Sequence, residues 1–138
     1  MSNGSSVSFG SNLNTSVETR LSDQIVRYLD LATSEAKLTA ANMANIDTPG
    51  YRAVGMDFEG EMRRVLAGGA ALQEDETASL APRISLVDGL IVRPDGNNVS
   101  MDRESLNLAE AQLKFKTGVA LLKHEYSRVM AAIHADAK

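Results

Sequence analysis

The side chains best suited to catalysis or metal binding belong to His124, His134 and eighteen acidic residues. The two histidines are ten positions apart, so on a helix they point about 80° away from each other and form neither a metal pair nor a base–nucleophile pair. The acidic residues show no spacing typical of a metal site, and the sequence lacks the HExxH, GxSxG and complete phosphate-loop motifs. We therefore predict no catalytic residue, no metal ligand and no cofactor, which argues against an enzyme.

The most distinctive polar side chains are two carboxamides, Asn42 and Asn45, just upstream of the segment Thr48-Pro49-Gly50-Tyr51. Proline lacks a backbone N–H and disfavours the α conformation of the residue before it, so a preceding helix should end near Ile46. Pro-Gly at the two central positions favours a type II turn with positive φ at the glycine. The carboxamides can hydrogen-bond the exiting chain or a neighbouring helix. An ordinary helix end with solvated polar residues is the alternative.

A long helix is predicted upstream of this turn. Thr15 and Glu18 fit a capping box, and neither glycine nor proline interrupts residues 15–46. Two neighbouring apolar stripes recur at helical spacing: Val17, Leu21, Tyr28, Leu31 and Leu38 in one, and Ile25, Leu29, Ala32, Ala36, Met43 and Ile46 in the other. Residues 1–14 are rich in Ser, Asn and Gly and are predicted to be disordered in an isolated monomer.

A second long helix is predicted from an N-cap at Ser100 to about His134. Its apolar residues alternate at threes and fours, the pattern of a heptad repeat: Leu108, Ala111, Phe115, Val119, Leu122, Tyr126, Val129 and Ile133. Gly118 lies inside this helix, where either a close helix–helix approach or tolerated slack would account for it. We expect a mainly α fold in which the two long helices pair as a coiled-coil hairpin.

The middle of the chain is predicted to be a small irregular insertion. We expect extended backbone at 51–55, a short helix at 56–66, and a mobile loop at 67–82 that is rich in Gly and acidic residues. The short helix should bury Met56, Phe58, Met62, Val65 and Leu66. The segment 83–93 (RISLVDGLIVR) predicts a β-hairpin centred on Asp88-Gly89. The expected organisation is a disordered segment 1–14, an N-terminal helix 15–48, an insertion 49–99 and a C-terminal helix 100–138.

Composition excludes several classes of protein. Aromatic residues make up 4% of 138 residues and Trp is absent, which is typical of packed helices. The net charge is −4 with no basic cluster, so nucleic acid is not an expected partner. Cysteine is absent, which excludes disulfides and thiolate metal sites. No apolar run is long enough to span a membrane, and the N-terminus lacks the pattern of a conventional secretory signal.

Residues 38–58 (LTAANMANIDTPGYRAVGMDF) resemble the N-terminal signature of the flagellar rod, hook and hook-associated axial proteins. The Asn-x-x-Asn-x-x-Thr-Pro-Gly-Tyr core of that family is present as residues 42–51, and Asp57-Phe58 is similar to the form in a proximal-rod member. Residues 95–104 (DGNNVSMDRE) resemble the segment before the C-terminal helix of the same member, in which an acidic residue is usual at Ser100. The short middle region also fits a rod protein.

The resemblance implies a structural subunit of the proximal rod of the bacterial flagellar basal body, which polymerises through its terminal helices as part of the drive shaft for motility. It implies export by the flagellar type III apparatus without a cleaved signal peptide, and a location in the periplasmic rod. The implied partners are other copies of the chain, other rod proteins, and the adaptor and membrane ring at the rod base.

Two sets of residues are expected to matter for assembly. The motif residues are Asn42, Asn45, Asp47, Thr48, Pro49, Gly50, Tyr51, Asp57 and Phe58. The helix-packing residues are Leu21, Ile25, Tyr28, Leu31, Leu38, Leu108, Phe115, Val119, Leu122, Tyr126, Val129 and Ile133. A cytoplasmic helical-hairpin adaptor or chaperone that binds a partner helix is the alternative function. It explains the helices but not the Asn/Thr-Pro-Gly-Tyr motif.

Overall fold

Two helices of 36 residues each dominate the fold, α1 (Phe9–Ala44) and α3 (Met101–Asp136). Between them lie a two-residue strand β1 (Val54–Gly55), a short helix α2 (Phe58–Gly68) and a second two-residue strand β2 (Ser85–Leu86). The computed structural model describes residues 9–68 and 81–137, with side chains from residue 20 onwards. The predicted disordered residues 1–8 and most of the predicted mobile loop, residues 69–80, lie outside these ranges.

The first helix begins earlier than predicted. It starts at Phe9, so residues 9–14 are helical and the prediction of disorder there is wrong. Thr15 lies inside the helix rather than at its N-cap. Once a helix is nucleated, each further residue adds a hydrogen bond without a new nucleation cost. Extending the helix by the six residues 9–14 is therefore more favourable here than starting it at the predicted cap, Thr15. At its other end α1 stops at Ala44, two residues before the predicted limit.

The two long helices pair antiparallel, as predicted. Asn42 near the end of α1 hydrogen-bonds Glu104 near the start of α3. Further along the pair, Glu35 forms a 2.8 Å ion pair with Lys114. The buried positions of α3 repeat every seven residues, which is the periodicity of a coiled coil: Glu104, Ala111, Gly118 and Glu125.

Small residues in this seam let the helices approach closely. Gly118 is buried, and a Cβ atom built on it would lie 2.6 Å from Cδ2 of Leu29 and 3.0 Å from Cδ1 of Tyr28. Both distances are shorter than a van der Waals contact between carbon atoms. Of the two explanations for Gly118, the close approach is therefore correct. Ala32 and Ala111 are also buried, at 1% and 0% exposure.

The heptad seam differs from the apolar stripe that was predicted to fill it. Among the predicted helix-packing residues, Ile25 and Leu31 are buried. Six others are half-buried: Tyr28, Leu38, Leu108, Val119, Leu122 and Val129. Four are exposed: Leu21, Phe115, Tyr126 and Ile133. The close approach at small residues turns α3 so that its large apolar side chains lie beside the seam or away from it.

The predicted β-hairpin around Asp88-Gly89 is wrong. Gly89 does adopt positive φ, at 76°, but residues 90–93 form no strand and Ile91 is 91% exposed. Instead β2 pairs antiparallel with β1, with Val54 opposite Leu86. The adjoining Val87 N–H donates to the Ala53 carbonyl at 2.9 Å. Thus β2 pairs with β1, which follows the end of α1, and not with the adjacent residues 90–93.

The short helix α2 docks against both long helices through Phe58. Its ring lies edge-on to Tyr28, with centroids 5.4 Å apart, and the Lys114 ammonium is 4.1 Å from its centroid. This T-shaped pair and cation–π contact fix α2 against the hairpin. Phe58 is half-buried, as are Met56, Met62 and Val65, whereas Leu66 is 51% exposed, so its predicted burial is wrong.

The start of α3 lies at the predicted position without the predicted side-chain bond. Ser100 occupies the N-cap with extended φ and ψ, but its hydroxyl makes no capping hydrogen bond. Its carbonyl instead accepts from the Glu104 N–H at 2.9 Å. Among the helices in the described residues, none has both the length and the apolar character needed to cross a bilayer.

Candidate functional site

The chain leaves α1 through the predicted turn. The Tyr51 N–H donates to the Thr48 carbonyl at 3.2 Å, and Gly50 has φ of 75°. Positive φ at the third residue is the signature of a type II turn. Thr48, Pro49 and Gly50 are exposed, and Tyr51 is half-buried. Pro-Gly therefore sets the local direction of the backbone at the surface of the molecule.

The Asn42 carboxamide holds the chain that leaves this turn. Its Oδ1 accepts from the Val54 N–H at 3.0 Å and its Nδ2 donates to the Val54 carbonyl at 2.8 Å. Oδ1 also accepts from the Tyr51 hydroxyl, and Nδ2 also donates to Glu104. Two bonds to each end satisfy the carboxamide completely. Asn42 thus pairs with β1 as a neighbouring strand would, and it is 2% exposed.

Asn45 acts only locally, although it lies three residues from Asn42. Its Nδ2 donates back to the Ala41 carbonyl at 2.8 Å, and its Oδ1 accepts from the Thr48 hydroxyl at 3.1 Å. Within the described residues its side chain forms no hydrogen bond with β1. Both carboxamides therefore hydrogen-bond the exiting chain, Asn45 within the turn at Thr48 and Asn42 further on at Val54, and Asn42 alone also reaches the neighbouring helix.

The end of α1 is capped by a loop from the other side of the insertion, residues 93–99, here called the capping loop. Nδ2 of Asn97 donates to the carbonyls of Asn45 and Thr48, both at 2.9 Å, and the guanidinium of Arg93 donates to the Ile46 carbonyl. These carbonyls belong to residues 45, 46 and 48, in the turn that directly follows the end of α1 at Ala44. The capping loop therefore supplies donors to the backbone just beyond the last residue of the helix.

The capping loop is itself rigidly built. Asn97 is fully buried, and its Oδ1 accepts from the Val99 N–H at 2.8 Å. Its N–H and carbonyl bond Asp95 and Arg93 within the loop. The Asp95 carbonyl accepts from the Gly50 N–H at 2.8 Å, which joins the loop to the turn.

The adjacent Asn98 reaches the strand rather than the helix. Its Oδ1 accepts from the Ala53 N–H at 2.6 Å, and Ala53 is fully buried. The exiting chain is therefore held from two sides, at Ala53 by Asn98 and at Val54 by Asn42. Asn97, Asn98, Arg93 and Glu104 were not predicted to contact the helix exit. The composition of Asp95-Gly96-Asn97-Asn98 alone predicts a turn. Its hydrogen bonds to Asn45, Thr48 and Ala53, about 45–50 residues earlier in the chain, cannot be predicted from the local sequence.

The remaining motif residues have separate roles. The Asp57 carboxylate accepts from the Gly60 N–H at 3.0 Å and caps α2. A Cβ atom on Gly60 would lie 2.4 Å from the other carboxylate oxygen, which explains a glycine within this helix. Asp47 is exposed and forms no hydrogen bond or ion pair with the described residues.

The arrangement is suited to holding elements at fixed angles. Within residues 9–68 and 81–137, no three His, Cys, Asp or Glu side chains lie close enough to bind a metal ion. His124 and His134 are exposed on α3, far along the chain from the helix exit. Hydrogen bonds between side-chain amides and backbone groups join α1, β1 and α3 in a rigid junction.

Comparison with known proteins identifies relatives of the same kind. No protein-family model matches the chain. It is 34% identical to the flagellar basal body rod protein FlgB of Salmonella typhimurium over 116 residues, which cover 74% of this chain and 84% of that protein. The FlgB proteins of Escherichia coli and Cereibacter sphaeroides are 31% and 33% identical, over 78% of this chain and 88% and 89% of their own lengths. The chain belongs to the family of the flagellar basal body rod protein FlgB.

Proposed function

We propose that the chain is a structural subunit of the flagellar basal body rod, in its proximal part, and that it polymerises through its terminal helices as part of the drive shaft for motility. The observation that carries this proposal is the 34% identity to a FlgB protein over 84% of that protein's length. The alternative of a cytoplasmic adaptor or chaperone gains no support from these relatives.

The distribution of apolar side chains supports polymerisation. Small and polar residues fill much of the hairpin seam, and large apolar residues are left exposed on α3, including Phe115, Tyr126 and Ile133. Exposed apolar surface on a soluble chain marks a site of protein association. Contacts between unlike surfaces of identical subunits build an open helical filament rather than a closed dimer. The long helices would supply these contacts, as the axial domain of the subunit.

The junction at the end of α1 supports a second part of the proposal. A rod subunit transmits torque, so its insertion, residues 49–99, must keep a fixed direction relative to the long helices. The bonds of Asn42, Asn97 and Asn98 hold that direction through buried side chains. The motif would thus set the angle at which the insertion leaves the tube formed by the helices.

The partners and location follow from this role. We propose contacts with other copies of the chain, with other rod proteins, and with the adaptor and membrane ring at the rod base. The chain would be exported by the flagellar type III apparatus and assemble in the periplasm. The relatives are named as basal body rod proteins. These names support the proposed location of the chain in the rod.

The test is mass spectrometry of detergent-washed hook–basal bodies from the source bacterium. The proposal predicts that the chain co-purifies with these structures, and that a deletion strain loses both the chain and swimming until the gene is restored. A chain that stays soluble in the cytoplasm and is absent from basal bodies would overturn the proposal.

A further inference from the structure

A ridge of exposed leucines runs along the face of α3 that points away from α1. Leu106 is 60% exposed and Leu113 is 66% exposed. They are seven residues apart, so on a helix they project within about 20° of each other. Glu110 lies between them in sequence and is also exposed. We call Leu106, Glu110 and Leu113 the leucine ridge.

An apolar groove lies on the other side of the same helix, between α3 and α1. Ala32 and Ala36 line it from α1, and Ala111 and Phe115 line it from α3. Its cavity volume is about 230 Å³. Lys116 also lines it, and neither Lys116 nor Glu110 forms an ion pair with the described residues. The groove is thus apolar with a free cation beside it.

The ridge and the groove point in opposite directions, and Leu113 of the ridge lies at nearly the same height as Phe115 of the groove. Leu106 and Phe115 are nine residues apart, which is about 900° of helical rotation and places them half a turn from each other. Leu113 and Phe115 differ by about 160° in direction and only about 3 Å along the axis. One chain therefore carries two unlike apolar surfaces, on opposite sides and at one level.

The charges on these two surfaces are complementary. The ridge carries Glu110 and the groove carries Lys116. The ridge of one copy against the groove of the next places opposite charges together. This pairing repeats without closing, as a filament requires.

We propose that Leu113 of one copy occupies the groove of the neighbouring copy, between Ala36 and Phe115, with Glu110 of the ridge facing Lys116 of the groove. The occupant is a second copy of this chain. This inference rests on the proposed function and extends it by naming which faces of the helices meet.

Disulfide cross-linking tests the contact directly, because the chain has no cysteine of its own. In the double variant Ala36→Cys with Leu113→Cys, oxidation of intact basal bodies should link copies into dimers and longer ladders. A disulfide requires Cα atoms about 4.4–6.8 Å apart. The matched control is Ala36→Cys with Ala131→Cys, because Ala131 is exposed on the same side of α3 but about 27 Å further along it.

The result expected is a dimer yield at least about tenfold above that of the control pair, since the control cannot meet the distance requirement. Equal yields from both pairs, or linkage of Leu113→Cys to a different rod protein, would overturn the inference. In each preparation the amount of this chain is measured first. Absence of the wild-type chain from basal bodies would overturn the proposed function, whereas its presence without a cross-link would overturn the inference alone.

Charge exchange provides a second readout that does not depend on cysteine geometry. Glu110→Lys and Lys116→Glu should each lower the amount of chain in basal bodies by about tenfold, because like charges then face each other. The double variant in one chain restores an opposite pair at every contact and should recover assembly. Both residues are exposed on α3, so the single variants should fold normally. Circular dichroism verifies this. A double variant that assembles as poorly as the single variants would contradict the pairing.

Discussion

The Asn42 carboxamide donates a 3.1 Å hydrogen bond to the Glu104 carboxylate, and neither side chain is more than 2% exposed. Asn42 also bonds both backbone polar groups of Val54. One carboxamide therefore connects the end of α1, the first strand and the first turn of α3. In a low-dielectric interior such bonds are strong, and a group left without its partner is costly. This junction is a rigid corner rather than a hinge.

Replacement of Asn42 by alanine should destabilise the whole fold. The change leaves the Val54 N–H and carbonyl without partners and removes a donor from the buried Glu104 carboxylate. A buried polar group without its bond costs about 1–3 kcal/mol, and a charged one more. We expect the free energy of unfolding to fall by about 3 kcal/mol, measured by urea denaturation of the purified chain.

Asn45→Ala is the matched control for this variant. It removes the same side chain three residues away, but its lost bonds are local and exposed. The expected loss is about 1 kcal/mol or less. Equal losses for the two variants would contradict the assignment of separate roles to the two carboxamides.

The capping role of Asn97 predicts that an aspartate is a poor substitute. Asn97→Asp keeps Oδ1 for the Val99 N–H, but it replaces the amide that bonds the Asn45 and Thr48 carbonyls. A carboxylate there faces two carbonyl oxygens and the negative end of the α1 dipole. We expect a loss of about 2–4 kcal/mol in urea denaturation, larger than that of Asn97→Ala.

Asn107→Asp provides the control for the added charge, since Asn107 lies half-buried in α3 and does not bond the carbonyls that Asn97 bonds. It should cost less than about 1 kcal/mol. If the two aspartate variants are equally stable, Asn97 does not cap α1 in solution.

The contact between Gly118 and Leu29 predicts a non-additive pair of substitutions. Gly118→Ala gains up to about 1 kcal/mol of helix propensity, but its methyl group would lie 2.6 Å from Cδ2 of Leu29. Overpacking costs about 1–3 kcal/mol, so the net effect should be a loss of about 1 kcal/mol. In a background with Leu29→Ala the closest contact is removed and only Cδ1 of Tyr28, at 3.0 Å, stays close, so the same change should cost less stability than in the wild-type background.

A double-mutant cycle measures this coupling, with an expected interaction of about 1–2 kcal/mol. Ala120→Gly with Leu29→Ala is the control, because Ala120 is exposed on the same helix. That pair should be additive. Additivity in the Gly118 cycle would mean that the helices lie further apart than in this structure.

Local chemistry made part of this fold predictable. Proline and glycine at positions 49 and 50 act on their own φ and ψ, so the turn and the helix end could be inferred without knowledge of any partner. Apolar residues at threes and fours likewise predict a helix and a pairing. The motif that contains the two carboxamides could be recognised because its residues, 42–51, are consecutive in the sequence.

The seam and the strand pairing could not be predicted in the same way. An apolar stripe shows which face of a helix avoids water, not which partner covers it. In α3 the intramolecular seam runs through Glu104, Ala111, Gly118 and Glu125, two small residues and two polar ones that an apolar stripe does not reveal. The pairing of β1 with β2 depends on Asn42 and Asn98, which hold β1 from far along the chain. Such partners are set by the assembled fold.

The turn at the helix exit should be required for assembly but not for export. Gly50 has φ of 75° and nothing lies within 4 Å of a Cβ atom built on it, so alanine fits sterically but strains the backbone. Pro49→Ala with Gly50→Ala also frees the φ that proline fixes. We expect this double variant to be exported at the wild-type level and to be missing from basal bodies, so that cells do not swim.

Gly89→Ala is the control that distinguishes the effect of backbone strain from the effect of the location of the turn. Gly89 has φ of 76° and equally open surroundings, but it lies in the insertion away from the end of α1. Both glycine variants should lose about 1–2 kcal/mol of stability, whereas Gly89→Ala should still swim. The measurements are swimming in soft agar, and immunoblots of basal-body and exported fractions. Because strain is equal at the two glycines, a defect confined to the Pro49 and Gly50 variant assigns the requirement to the direction of the helix exit. Normal swimming by that variant would show that the turn does not set the assembly angle.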